Sequence, residues 1–133
     1  GESVEEATRQ FARPAGEMED GVDVEEVVTK VRPEVLLGLS GAGRIWSPKT
    51  LTALAEGTER PLIFPMSNPS HKSECSAEDA ATYAKGRGIF ASGSPFDDAS
   101  FDGKVVPSNQ SNNLYIFPGL ALGAKLCQAS LVR

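Results

Sequence analysis

Three short apolar runs recur along the chain: Val35-Leu36-Leu37-Gly38-Leu39, Leu62-Ile63-Phe64-Pro65-Met66 and the shorter Ile89-Phe90-Ala91-Ser92. The first two lack polar alternation, which predicts strands buried on both faces of a parallel sheet; the third runs into Gly93-Ser94-Pro95 as a short third strand. The segments between them open with helix-start chemistry. Asp23-Val24-Glu25-Glu26 sets an N-cap aspartate three residues before a glutamate and opens a helix through Val27, Val28 and Val31 that must stop before Pro33. Ser47-Pro48 is an N-cap followed by proline at the first helical position, predicting a helix to about Glu56. Ser76-Ala77-Glu78-Asp79 is a capping-box variant that opens a helix to about Lys85, ended by Gly86. Residues 98–107 read as a surface excursion with a small hairpin at Asp102-Gly103. A last helix begins between Leu114 and Pro118 and continues to Leu131.

Strand, helix, strand, helix, strand implies parallel pairing through right-handed crossovers. The fold class expected is therefore α/β, a partial doubly wound (Rossmann-like) parallel sheet flanked by helices. Residues 1–22 divide off as a short amphipathic helix, residues 4–11, and a polar connection.

Charge and composition narrow the function classes. Among 133 residues, 13 are basic and 18 acidic, a net charge of −5 with no dense Lys/Arg cluster, so nucleic acid is excluded as a partner. The longest nearly apolar stretch, residues 114–126, holds Pro118, Gly119, Gly123 and Lys125 and falls short of the ~20 residues that span a bilayer, which predicts a soluble protein with no membrane partner. Cys75 and Cys127 are far apart and form no CxxC pair, and the first nine residues carry three glutamates and no apolar core of a signal peptide. Two reduced thiols in an intracellular protein are expected.

The candidate chemistry lies in two asparagine turns, Ser67-Asn68-Pro69 after the second apolar run and Asn112-Asn113 before the last helix. Carboxamides at strand ends and helix starts bind a polar ligand without adding charge, and open α/β sheets collect ligands outside the carboxyl ends of their strands. Each asparagine also has a purely structural use, as a turn before proline or as a helix cap. Ser40-Gly41-Ala42-Gly43 follows a strand and precedes a helix but fails the GxGxxG pattern, since Arg44, Ile45 and Trp46 supply no third glycine. It reads as a tight turn along which a ligand could approach the backbone. His71 has no carboxylate at helical spacing to form a metal cluster, and Ser94 lacks a nucleophile-elbow frame and a histidine base. Gly119 and Gly123 present a small-residue stripe suited to close packing.

Five stretches together resemble the malic enzymes: Gly38-Leu39-Ser40-Gly41-Ala42-Gly43-Arg44, Glu59-Arg60-Pro61-Leu62-Ile63-Phe64, Met66-Ser67-Asn68-Pro69-Ser70, Ala91-Ser92-Gly93-Ser94-Pro95-Phe96 and Asn112-Asn113-Leu114-Tyr115-Ile116-Phe117-Pro118-Gly119. The resemblance implies that residues 23–133 are the C-terminal half of a nicotinamide-dinucleotide-binding domain, from an enzyme that oxidatively decarboxylates malate to pyruvate and CO2 with NAD or NADP and a divalent Mg or Mn ion. It places malate on Asn68 and Asn112, and the cofactor on Leu39, Ser40, Gly41, Ser67 and Asn113. No position matches the family's catalytic tyrosine and lysine, its acidic metal ligands or its glycine fingerprint, so no catalytic or metal residue is assigned and the isolated chain is expected to be inactive. The implied partners are malate and pyruvate, the remainder of the enzyme, and further copies in a homo-oligomer. Arg9 lies close to the position where a basic residue favours the 2′-phosphate of NADP.

Two rivals stand beside this assignment. One is a catalytically inactive remnant that acts as a binding or interaction module, which exposed apolar area at the sheet edge and on the Gly119/Gly123 face would favour. The other is a different enzyme on the same doubly wound half, such as an amino-acid dehydrogenase, against which the Ser67-Asn68-Pro69 and Asn112–Gly119 segments argue.

Overall fold

In the computed structural model, the described residues are 14, 16–19, 21–115 and 117–128. The helix expected over residues 4–11, Arg9, and the end of the last helix beyond residue 128 lie outside them.

Four strands form one parallel sheet in the order β1-β2-β3-β6: β1 Val35–Gly38, β2 Leu62–Pro65, β3 Ile89–Ser92 and β6 Ser108–Gln110. Helix α1 (Val24–Val31) precedes β1, α2 (Pro48–Gly57) crosses from β1 to β2, and α3 (Ala77–Tyr83) crosses from β2 to β3. Each helix starts where its cap chemistry predicts. The Asp23, Ser47 and Ser76 side chains accept from the amides of Glu26, Thr50 and Asp79, and the Asp79 carboxylate in turn accepts from the Ser76 amide to complete a capping box. These caps satisfy amides that would otherwise have no partner in the first turn.

Register decides which side chains meet the helices. Leu36, Ile63 and Phe90 are aligned across the three strands, and they face the core formed with Val28, Leu51, Leu54, the α3 alanines Ala77, Ala80 and Ala81, and its C-cap Ala84. Phe96 closes one side with its ring edge-on to Phe90, 5.8 Å between centroids. The opposite face departs from the expectation of double burial. Val35 is 46% exposed and Leu37 56%, and their neighbours Leu62, Phe64 and Ile89 are only half-buried. Among the described residues, β1 is an edge strand with helices packed over one face, so its apolar run is not covered on both sides.

A second correction concerns the fourth strand. Ser108-Asn109-Gln110 carries no apolar signal, yet it pairs in parallel with β3, Phe90 opposite Ser108 and Ser92 opposite Gln110. Side-chain bonds fix it: the Ser108 amide donates to Asp98 Oδ1 at 2.8 Å and Asn109 Nδ2 to Phe90 O at 3.1 Å. The excursion leading to it is the hairpin expected at Asp102-Gly103, with β4 (Ala99–Phe101) antiparallel to β5 (Lys104–Val106) and both turn residues at positive φ.

A single 3₁₀ turn, Asn113–Tyr115, leads into α4 (Phe117–Leu126). The packing expected along Gly119 and Gly123 is not seen: a Cβ at either position meets nothing within 4 Å among the described residues, and Leu122 and Leu126 are exposed. No helix among the described residues is long and apolar enough to cross a membrane.

Both cysteines are free, Cys75 buried and Cys127 exposed. Burial pushes the Cys75 thiol up to about 12; the nearby Asp79 and Glu74 carboxylates add to the rise and Arg44 opposes it. The reactive form is the thiolate. An aromatic disulfide reagent at pH 8 should therefore modify Cys127 alone in the native protein and both cysteines after denaturation, read by mass spectrometry; rapid native labelling of Cys75 would contradict the packing described.

Candidate functional site

The candidate residues fall in a row, each just past the carboxyl end of a strand. Leu39, Ser40 and Gly41 follow β1, Ser67 and Asn68 follow β2, Gly93 and Ser94 follow β3, and Asn112 and Asn113 follow β6. A parallel sheet directs all these ends to one side, where ligands of open α/β folds bind.

Hydrogen bonds join the loops in sequence across the sheet. The Gly41 amide donates to Ser67 Oγ at 2.9 Å, linking the β1 and β2 loops. Ser94 Oγ donates to Asn68 Oδ1 at 2.6 Å, linking β2 to β3. Asn112 Nδ2 donates to Gly93 O at 2.7 Å, linking β3 to the β6 loop. Gly93 is closely enclosed by the β2 loop, for a Cβ there would lie 2.2 Å from Met66 O and under 3 Å from Met66 C and Asn68 Nδ2.

The two substrate candidates are engaged to different degrees. Asn112 uses both ends of its amide, since Oδ1 also accepts from the Leu114 amide at 2.8 Å as a cap for the 3₁₀ turn. Asn68 is exposed, follows a strand and precedes Pro69 through a cis peptide; its Oδ1 is held by Ser94, but Nδ2 makes only a 3.4 Å contact to Met66 O. The Asn68 donor therefore stays available to an incoming acceptor. Among the cofactor candidates, Leu39 is 73% exposed and Gly41 has φ +68 with nothing within 4 Å of the position of a Cβ. An exposed apolar side chain beside a bare backbone turn suits a flat, amide-bearing ring, and Asn113 opens the 3₁₀ turn at the far end of the row.

One residue central to this edge is absent from the sequence expectations. Glu74 is fully buried. Its Oε1 accepts from the Ser40 amide at 3.0 Å, from Ser40 Oγ at 2.9 Å and from Ser67 Oγ, while Oε2 accepts from the Ser67 amide at 3.4 Å. A glutamate in a polar loop ordinarily reads as solvated, and its partners lie 34 and 7 residues away, so no local signal marks it. Gly38 is the one trace in the sequence, because a Cβ there would fall 2.4 Å from Glu74 Cδ.

Burial works to raise the Glu74 carboxyl, but hydrogen bonds from Ser67 and Ser40 and its own backbone outweigh it and hold the group below its ordinary value of 4.5. A carboxyl lowered on folding stabilises the folded state above the unfolded value, and that stability is lost as pH falls through the folded one. The unfolding midpoint should hence fall below pH 4.5. Glu74→Gln should be less stable at neutral pH and lose less on acidification; parallel midpoint-versus-pH curves for the two proteins would refute an ionised Glu74.

A cavity of about 970 Å³ lies elsewhere, between the hairpin and the amino ends of β2 and β3, lined by Arg60, Lys85, Arg87 and Lys104 among others. It contains none of the candidate residues, and it faces the end of the sheet opposite to the one where α/β ligands bind. Among the described residues, no three His, Cys, Asp or Glu side chains group so as to hold a metal ion.

Comparison with known proteins bears on this edge. The family model described as the NAD binding domain of malic enzyme matches residues 1–133. The chain is 48% identical over 122 residues to an NADP-dependent malic enzyme of Populus trichocarpa, an alignment covering 91% of this chain and 21% of the relative. It is 48% identical over 124 residues to the mitochondrial NAD-dependent malic enzyme 2 of Arabidopsis thaliana, covering 92% and 20%. A chloroplastic NADP-dependent malic enzyme of Solanum lycopersicum is 46% identical over 119 residues, covering 89% and 21%. The chain thus spans about a fifth of the length of these relatives. Relatives named for either cofactor, and for two organelles, match it equally well.

Proposed function

The chain belongs to the malic enzyme family, as part of its NAD-binding domain, and on that premise we propose that it supplies malate-binding amides and one wall of the nicotinamide cleft to an enzyme converting malate to pyruvate and CO2. The observation that carries this is the row of loops at the carboxyl ends of four adjacent strands, tied to one another by the Gly41–Ser67, Ser94–Asn68 and Asn112–Gly93 bonds.

Leu39, Ser40, Gly41, Ser67 and Asn113 face the cofactor. NAD or NADP, when bound, supplies the hydride acceptor, and a divalent Mg or Mn ion held by residues outside this chain supplies charge neutralisation during decarboxylation. Asn68 Nδ2 points its donor at a substrate carboxylate or hydroxyl and adds no charge of its own, which suits a dianionic acid whose neutralisation comes from elsewhere. Asn112, with Nδ2 already on Gly93 O, has one further amide hydrogen for the substrate and holds the β6 loop against β3. The complete enzyme is a homo-oligomer in which residues 23–133 are the C-terminal half of the dinucleotide-binding domain.

The uncovered sheet face carrying Val35 and Leu37 supports a second function, an inactive module that docks on a partner through this surface. One assay separates the two. The complete protein, supplied with malate, NAD or NADP, and Mg²⁺ or Mn²⁺, should form pyruvate, CO2 and reduced cofactor in equal amounts. Absence of turnover in a folded complete protein would leave the docking function, and cofactor reduction without CO2 release would point to a different dehydrogenase.

A further inference from the structure

We propose that Glu74 is a positioning residue that, through Ser40 and Ser67, aims the Ser40 and Gly41 carbonyl oxygens outward as a pair of acceptors for the carboxamide N–H groups of the nicotinamide ring. The proposal rests on the assignment of the 39–41 loop and Ser67 to the cofactor.

A buried carboxylate is costly unless its charge is compensated. No Lys or Arg among the described residues forms an ion pair with Glu74; the ion pairs there are Arg44 with Asp79 and Lys49 with Glu25. The charge is held by hydroxyl and amide donors alone. An ionised carboxylate only accepts, so it fixes the direction of both hydroxyls: Ser40 and Ser67 must each spend their single proton on Glu74 and present lone pairs to the next donor. The next donors are backbone amides. Gly41 N–H donates to Ser67 Oγ at 2.9 Å and Ala42 N–H to Ser40 Oγ at 3.2 Å.

The consequence follows from peptide geometry. In a planar trans peptide the N–H and the preceding C=O point in opposite directions. With the Gly41 and Ala42 amides turned toward the serine hydroxyls, the carbonyls of Ser40 and Gly41 turn away from them, toward the open side of an exposed loop. Neither oxygen accepts a hydrogen bond within the described residues. Two free acceptors on successive peptides beside exposed Leu39 match a primary carboxamide, which offers two N–H donors on a flat apolar ring. A glutamine at position 74 has one acceptor oxygen where the carboxylate has two: with that oxygen kept on Ser40 Oγ and Ser67 Oγ, its N–H₂ stands against the Ser67 amide that now donates to Oε2, and the charge that orders the two hydroxyl protons is lost.

The test uses the complete enzyme and two cofactors: the ordinary dinucleotide and its 3-acetylpyridine analogue, which has a methyl ketone in place of the carboxamide and no N–H to donate. Dissociation constants are measured by equilibrium titration without substrate. Glu74→Gln and Ser40→Ala, each confirmed folded by its unfolding midpoint, should each weaken the ordinary cofactor about 3- to 10-fold, as expected for one lost neutral hydrogen bond, and change the analogue by less than about twofold. Ser40→Thr, which keeps the hydroxyl, should restore parental binding. Equal weakening of both cofactors, or of neither, would overturn the proposal. Leu39→Asp serves as the separate check on the cofactor assignment: it should weaken both cofactors, and if it weakens neither, that assignment falls and the role of Glu74 falls with it.

Discussion

Asn68→Asp in the complete enzyme is expected to lower kcat/KM for malate by at least about 10- to 150-fold while leaving the unfolding midpoint unchanged. The substitution is nearly isosteric and is matched to what Asn68 does in the fold. The oxygen that accepts from Ser94 Oγ at 2.6 Å is retained, and the contact given up is the 3.4 Å approach of Nδ2 to Met66 O. Aspartate favours turns as asparagine does, so the bend into Pro69 is preserved. What changes is the free donor, which becomes a carboxylate facing a dianionic substrate. One lost hydrogen bond to a charged group is worth about 1.5–3 kcal/mol, and like-charge repulsion adds to it. Steady-state kinetics with kcat/KM within about twofold of the parent, in a protein of unchanged stability, would remove Asn68 from the substrate site. Asn112→Asp is a blunter probe, because it sets a carboxylate against Gly93 O where Nδ2 now donates at 2.7 Å, and stability falls together with activity.

The contrast between these two asparagines marks where sequence reasoning stops. Both occupy the positions read from strand ends and helix starts, because Ser67-Asn68-Pro69 and Asn112-Asn113 are local turn signals beside apolar runs. Their unequal engagement depends on Ser94 and Gly93, 26 and 19 residues away. Helix starts were legible for the same reason that Asp23, Ser47 and Ser76 cap them: donor and acceptor are three residues apart. The Asp102-Gly103 hairpin was legible because its turn needs positive φ at both residues. Strand β6 was not, since Ser108-Asn109-Gln110 owes its place to backbone pairing and polar side-chain bonds. The open face of β1 is not legible, because an apolar run states what a strand can bury and leaves open what covers it. Glu74 is the least legible of all: its charge suggests solvent, and only the folded loops of Ser40 and Ser67 give it a reason to be inside.

Gly93→Ala is expected to be the most damaging single-methyl change at this edge. A Cβ at Gly93 would sit 2.2 Å from Met66 O, 2.8 Å from Met66 C and 2.9 Å from Asn68 Nδ2. Two of these are backbone atoms, so relief requires the β2 and β3 loops to separate; a rotamer change cannot supply it. Separation strains the bonds that place the site, Gly93 N–H to Pro65 O at 3.1 Å, Asn112 Nδ2 to Gly93 O and Ser94 Oγ to Asn68 Oδ1. Overpacking of this kind costs about 1–3 kcal/mol or more, and each kcal/mol moves an unfolding midpoint by roughly 2–8 °C depending on domain size. The midpoint should drop by several degrees, with malate turnover falling further than stability alone explains because both amides move. Gly119→Ala is the internal control: it lies in α4 with nothing within 4 Å of its Cβ, and alanine in a helix is favoured over glycine by about 0.5–1 kcal/mol. The two substitutions add the same methyl and should shift the midpoint in opposite directions, so a Gly93→Ala enzyme with parental midpoint and kinetics would show that the β2 and β3 loops are not in contact as described.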